Sequence, residues 1–216
     1  RSQPRVPIAA RLVADMMEVA GADRYMTLDL HAGQIQGFFS IPGDALTAFH
    51  ILSDHFQQRC KDMHNPVVVT ADLGFAKKGR NFAAKLGLPI AFIEKRRQQN
   101  DARAEAVGVI GDVHDRDVII VDDEVDTAGS VTEAYQIVKG QGARDVYLSF
   151  VHAVLSDPAT ERFQNTDFKA IVTTNTVQIP AEKKLPNMTV LSIAPLLAEV
   201  ILRAHEGRSV GEMFNE

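Results

Sequence analysis

Apolar residues recur along this chain in two rhythms, and each rhythm predicts its own kind of element. Behind Pro7, the positions Ile8, Leu12, Val13, Met16, Met17 and Ala20 repeat near the 3.6-residue period, which predicts a helix ended by Gly21. Tyr25 to Leu30 predicts a strand, His31 to about Pro42 a loop, and about Ala45 to Lys61 a helix. Pro66 precedes a strand from Val67 to Ala71. A helix from about Ala76 to Leu86 closes at Gly87, and Pro89 to Ile93 is the next strand. Gln98 to Ala106 is polar and aperiodic and reads as a loop. Asp117 to Asp122 is a continuous apolar strand ending in acids. Ala128 to Gln141 is helical, with Gly142 as its stop. Val146 to His152, Phe168 to Thr173 and Met188 to Ile193 complete the strands, and Pro195 opens a last helix to about His205.

Strands alternating with helices of ten to fifteen residues predict βαβ units and a parallel sheet, an α/β fold. Runs such as Val67–Val69 and Val118–Val121 lack polar alternation, as strands covered on both faces do. The pattern holds no low-complexity segment and no repeat period of a solenoid or propeller.

Composition narrows the chemistry. A net charge of −5 argues against a general nucleic-acid binder. Basic residues still cluster at Lys77-Lys78-Gly79-Arg80 and Lys95-Arg96-Arg97, which on an acidic chain favours a confined anionic ligand over a long polyanion. Cys60 is the only cysteine, so no intrachain disulfide forms, and a reducing cytoplasm is the expected compartment. No apolar run approaches the length of a membrane span, and the N-terminus lacks a signal-peptide pattern, so no membrane partner is expected.

The densest chemistry lies between Val118 and Ser130. A buried strand delivers Asp122 and Asp123 to the carboxyl edge of a parallel sheet, where such folds bind ligands. Asp126-Thr127-Ala128-Gly129-Ser130 then turns into a helix. Small residues there let backbone N–H groups approach an anion at the positive helix end, and Thr127 and Ser130 add hydroxyl donors. The two carboxylates beside such a cradle suit vicinal ribose hydroxyls, with or without a metal. A simple helix cap by Asp126 or Thr127 accounts for one polar residue. It does not account for four apolar residues, three aspartates and a small-hydroxyl run together.

This run resembles the phosphoribosyl-pyrophosphate motif shared by type I phosphoribosyltransferases and ribose-phosphate diphosphokinases. Other segments favour the second family. Asp29-Leu30-His31-Ala32-Gly33-Gln34-Ile35-Gln36-Gly37-Phe38-Phe39 resembles a diphosphokinase signature, and Lys95-Arg96-Arg97 resembles the entry to its catalytic loop. Leu191 to Glu199 and Ser209 to Phe214 resemble its last strand, helix and tail. The resemblance implies transfer of the diphosphate of ATP to the 1-hydroxyl of ribose 5-phosphate, with Mg²⁺ as cofactor. Asp126, Thr127, Ala128, Gly129 and Ser130 would hold the 5-phosphate, and Asp122 and Asp123 the ribose hydroxyls. His31 and Asp72 would place Mg-ATP, and Lys95 and Arg97 would meet the developing charge.

The sequence also departs from the family. Phe75-Ala76-Lys77-Lys78 stands where a second Gly and apolar residues are usual, Gln98 replaces a Pro, and the loop is one residue longer. Gly33, Ala45 and Gly211 replace residues tied to phosphate and ADP control, so that control is not carried over. Family members are usually about 100 residues longer at the N-terminus. By resemblance, residues 1–45 are the C-terminal part of an N-terminal phosphoribosyltransferase-like domain. Residues 46–200 are the complete second domain, and 201–216 a C-terminal helix and tail. Arg1 and Gln3 would be what remains near an adenine-binding segment. A homo-oligomer, by resemblance a hexamer, is also implied. Two rivals stay open at this level: a base phosphoribosyltransferase and a non-catalytic regulatory subunit. A P-loop kinase is excluded, since no G-x-x-x-x-G-K-[ST] occurs.

Overall fold

The computed structural model describes residues 8–71, 74–97 and 105–214. The chain forms two compact units, Ala48–Leu196 on the one hand and Arg1–Thr47 with Leu197–Glu216 on the other.

In the unit holding the N-terminal residues, helix α1 (Ala9–Val19) precedes strands β1 (Tyr25–Leu28) and β2 (Gly43–Leu46), which pair in parallel with Tyr25 opposite Gly43 and Leu28 opposite Leu46. Gly43 is required there, because a Cβ would sit 2.1 Å from the Tyr25 ring. That ring stacks on Phe39 with 3.9 Å between centroids. The segment Gly43–Leu46 corrects the expected helix from Ala45. Its backbone is engaged by strand pairing, with Tyr25 N–H donating to Pro42 O and Asp29 N–H to Leu46 O, so the next helix starts only at Phe49. Helix α1 forms as the periodicity predicts, but its apolar stripe faces outward: Leu12 is 60% exposed and Met16 62%.

The second unit is built on a seven-stranded sheet. After α2 (Phe49–Arg59) come β3 (Val67–Thr70), α3 (Ala76–Leu86), β4 (Ile90–Arg97), β5 (Glu105–Ile110), β6 (Val118–Val125), α4 (Gly129–Gly140), β7 (Val146–Ala153), α5 (Ala159–Gln164), β8 (Ala170–Thr174) and β9 (Met188–Leu191). Helix α6 (Ala194–His205) follows, and from Leu197 onward it belongs to the unit holding the N-terminal residues. The strand order is β5-β4-β3-β6-β7-β8-β9, parallel throughout except for β5, which runs antiparallel to β4 at one edge. The mostly parallel α/β sheet expected from the alternating elements is present. Residues 105 and 106 were expected in a loop. They belong instead to β5, where hydrogen bonding to β4 overrides their lack of pattern, and β4 extends to Arg97 for the same reason.

Each face of the sheet is covered. On one face Val118, Ile120, Val146, Leu148 and Phe150 pack with Val131, Ala134, Tyr135 and Val138 of α4, a set spaced three and four apart as a buried helical stripe requires. The other face meets α2 and α3, where Phe56 contacts Phe82 and Tyr147 edge to face. Helix α3 sits close on β3: a Cβ on Gly79 would lie 2.2 Å from Thr70 Cγ2. It ends where predicted, at Gly87 with φ of 65°, whose amide bonds back to the last turn.

Candidate functional site

The sheet reverses its direction of growth between β3 and β6. From β3 the chain steps outward to β4, whereas from β6 it steps the opposite way to β7, β8 and β9. In open α/β sheets the crevice outside the carboxyl ends of two such strands is the usual ligand site. Here β6 supplies the acids. Asp123 follows Ile119 and Val121 in the strand's alternation and is 2% exposed. Lys78, on α3, reaches it with Nζ 3.1 Å from Oδ2. A carboxylate this deeply buried is costly without a cation beside it. The Lys78 ammonium also lies over the Phe75 ring, 5.5 Å from its centroid. Asp122 points its Oδ1 back to the Asp123 amide at 2.9 Å, which fixes the orientation of that carboxylate.

Beyond β6 the chain turns through Asp126 to Ala128 into α4. Ala128 occupies the cap position with φ of 61° and ψ of 9°, a left-handed conformation, and no side chain caps the helix. Capping by Asp126 or Thr127 is thereby excluded, and both side chains are exposed together with Ser130. Among the described residues, the amides of Thr127 to Ser130 have no internal acceptor. A left-handed residue at a helix start gathers successive N–H groups into a concavity suited to an anion. The turn is held from behind. Thr132 Oγ1 donates to the carbonyls of Ala128 and Gly129 at 2.8 and 3.1 Å. Arg162, on α5, donates from Nη1 to the Thr127 carbonyl at 2.7 Å. A Cβ on Gly129 would come within 3.2 Å of that same guanidinium nitrogen, so a larger residue there would have to push the guanidinium back by a few tenths of an ångström.

The far rim of the crevice is formed by β7. His152 pairs in register with Glu124, and its Nδ1 shares a hydrogen bond with Thr176 Oγ1 at 2.9 Å.

The remaining expected residues are distributed unevenly. His31 lies in the N-terminal unit, exposed, just after β1 and after Asp29, which takes a positive φ of 45°. Lys95 and Arg97 stand in β4 opposite Val107 and Glu105, with side chains outside the described part. Asp72, Arg1 and Gln3 lie outside the described residues. Among those described, no group of three His, Cys, Asp or Glu side chains is arranged to hold a metal ion. Lys78 and Arg162 were not assigned from sequence. Lys78 was visible only as one member of a basic cluster, and nothing in the local pattern around Arg162 signals that it meets Thr127, 35 positions away.

The chain is similar to known proteins of one family. Residues 103–215 match the family model described as phosphoribosyl synthetase-associated domain. The chain is 43% identical over 216 residues to a ribose-phosphate pyrophosphokinase of Clostridium acetobutylicum, covering 100% of this chain and 67% of that protein. It is 45% identical over 215 residues to one of Caldanaerobacter subterraneus, with 99% and 67% covered. Among solved structures it is similar to phosphoribosylpyrophosphate synthetase from Mycobacterium smegmatis, with a TM-score of 0.86 and 41% identity over 94% of this chain and 65% of that one. The chain spans about two thirds of the length of these relatives.

Proposed function

The chain belongs to the ribose-phosphate pyrophosphokinase family, and on that footing we propose that it binds ribose 5-phosphate and transfers to it the diphosphate of ATP. The 1-hydroxyl oxygen attacks the β-phosphorus, the bond to the α-phosphate oxygen breaks, and AMP leaves with 5-phosphoribosyl 1-diphosphate as the product. One observation carries the reading: two fixed carboxylates, Asp122 and Asp123, stand at the switch point directly before a left-handed turn with open amides. The turn from Asp126 through Thr127, Ala128 and Gly129 to Ser130 receives the 5-phosphate. Asp122 and Asp123 accept from the ribose hydroxyls, and Arg97 contacts the substrate from β4.

Lys95 and Arg97 are proposed to stabilise the charge that develops on the triphosphate. Phosphoryl-type transfer depends mainly on positioning and such stabilisation. Magnesium is held with ATP by His31 and Asp72 in this reading, and when bound it neutralises phosphate charge. Asp72 offers the oxygen that so hard an ion prefers, whereas the His31 imidazole is an unusual ligand for it and acts through water or phosphate contacts in this reading. Magnesium keeps several waters and takes few protein ligands beside substrate phosphates, so a three-residue cage is not required. Arg1 and Gln3 belong to the adenine side.

On the same premise, residues 1–45 are the end of an N-terminal domain and 46–200 a complete second one. Support comes from β1 and β2, since a two-stranded sheet is marginal by itself. A cytoplasmic homo-oligomer, a hexamer as in the family resemblance, fits the outward apolar stripe of α1. No described helix is long and apolar enough to cross a membrane.

The test is formation of AMP and 5-phosphoribosyl 1-diphosphate from ribose 5-phosphate and Mg-ATP with no nucleobase present. Lys95→Ala should lower kcat by on the order of 10²–10³ with the circular dichroism spectrum unchanged. A protein that gives no calorimetric heat with ribose 5-phosphate would sink the proposal.

A further inference from the structure

Arg162 lies outside every motif of the sequence, yet it is the side chain from another element that grips the cradle turn. Its Nη1 is 2.7 Å from the Thr127 carbonyl. Among the described residues no carboxylate pairs with its guanidinium, although Glu161 is its neighbour and Glu133 lines the same groove between α4 and α5. The groove, about 490 Å³, opens beside the guanidinium and is lined by Gly129, Thr132 and Gln136 among others. Arg162 therefore places one of its N–H donors on a backbone carbonyl of the turn rather than on a described carboxylate.

We propose that Arg162 is a positioning residue for the phosphate cradle, holding the Thr127–Ala128 peptide so that the Ala128 N–H faces the bound anion. This rests on reading residues 126–130 as the 5-phosphate site. In a planar trans peptide the carbonyl and the following N–H point in opposite directions. Anchoring the Thr127 carbonyl toward α5 turns the Ala128 N–H away from α5. Ala128 is the residue whose left-handed φ, 61°, is the least favourable in the turn for a side chain with a Cβ. Without an external hold the peptide has an alternative orientation that removes this strain and breaks the concavity. A charge-assisted bond to the carbonyl also polarises the peptide and makes its N–H a better donor.

The inference is tested by calorimetry on the protein, with ribose 5-phosphate and Mg-ATP titrated separately into wild type, Arg162→Met and Arg162→Lys. The expected result is a dissociation constant for ribose 5-phosphate raised about ten-fold or more in Arg162→Met, the order lost with one charge-assisted hydrogen bond. Arg162→Lys, which retains a charged donor, should recover part of it, and the Mg-ATP constant should stay within about two-fold of wild type in both. Equal ribose 5-phosphate affinity in all three proteins overturns the inference. So does a loss of Mg-ATP affinity matching the loss for ribose 5-phosphate, because a merely structural role weakens both. Should Arg162→Met fail to fold, the same split measured on Arg162→Lys decides. A wild type that binds no ribose 5-phosphate instead refutes the cradle reading itself and takes this inference with it.

Discussion

At the scale of single residues, the acids and small residues of the site were legible because they are contiguous. Asp122, Asp123 and the turn through Ser130 fall on one strand end, so composition and position reinforce each other. Their supports were not legible. Lys78 reaches Asp123 from 45 positions away and Arg162 reaches Thr127 from 35, and neither distance leaves a trace in local periodicity. One half-buried side chain has a consequence for pH. Among the described residues the buried His55 Nε2 has no hydrogen-bond partner, and burial, aided by Arg59, pushes the imidazole below its ordinary value of 6.5. The folded protein thus takes up this proton less readily than the unfolded chain. Stability should be unaffected above the ordinary value and should fall as the pH drops below it, until the lowered folded value is reached. Urea midpoints measured from pH 7.5 down to 5.5 should decline less steeply in His55→Asn than in wild type. Parallel declines would show that His55 does not contribute.

Among the elements, long periodic helices and apolar strands were readable, and short ones were not. Strand β2 is four residues, Gly43-Asp-Ala-Leu46, without β-branched residues or a buried alternation, and it exists because β1 lies alongside. The six-residue α5 carries too few turns to show a period, although Ala159 and Phe163 bury its inner side. Strand β5 is specified by its register with β4 rather than by its own residues. The contact of α3 with β3 yields a test in which two effects oppose each other. Helix propensity alone predicts that Gly79→Ala stabilises α3 by about 1 kcal/mol. The Cβ, however, would meet Thr70 Cγ2 at 2.2 Å, and overpacking of that kind costs roughly 1–3 kcal/mol. The clash should win, and chemical denaturation should show a net loss. A gain would mean that α3 shifts freely off the sheet, which would also move Lys78 relative to Asp123.

For the molecule as a whole, the α/β alternation was legible along the chain, but the direction in which the sheet grows was not. Strand order depends on which edge each crossover joins, and no local pattern encodes that. The place of the reversal between β3 and β6 therefore had to come from the structure. One further whole-molecule feature carries its own reporter. The outward stripe of α1 includes two adjacent thioethers, Met16 at 62% and Met17 at 47% exposure, whereas Met63 is 9% exposed. Thioethers are converted by peroxide to sulfoxides in proportion to their access. In dilute solution, peptide mass spectrometry should find Met16 and Met17 oxidised well before Met63, and the proposed homo-oligomer predicts that high protein concentration spares them. Oxidation thus becomes a footprint of whatever lies against that helix, and sulfoxides placed there in advance, being polar, should hold the copies apart.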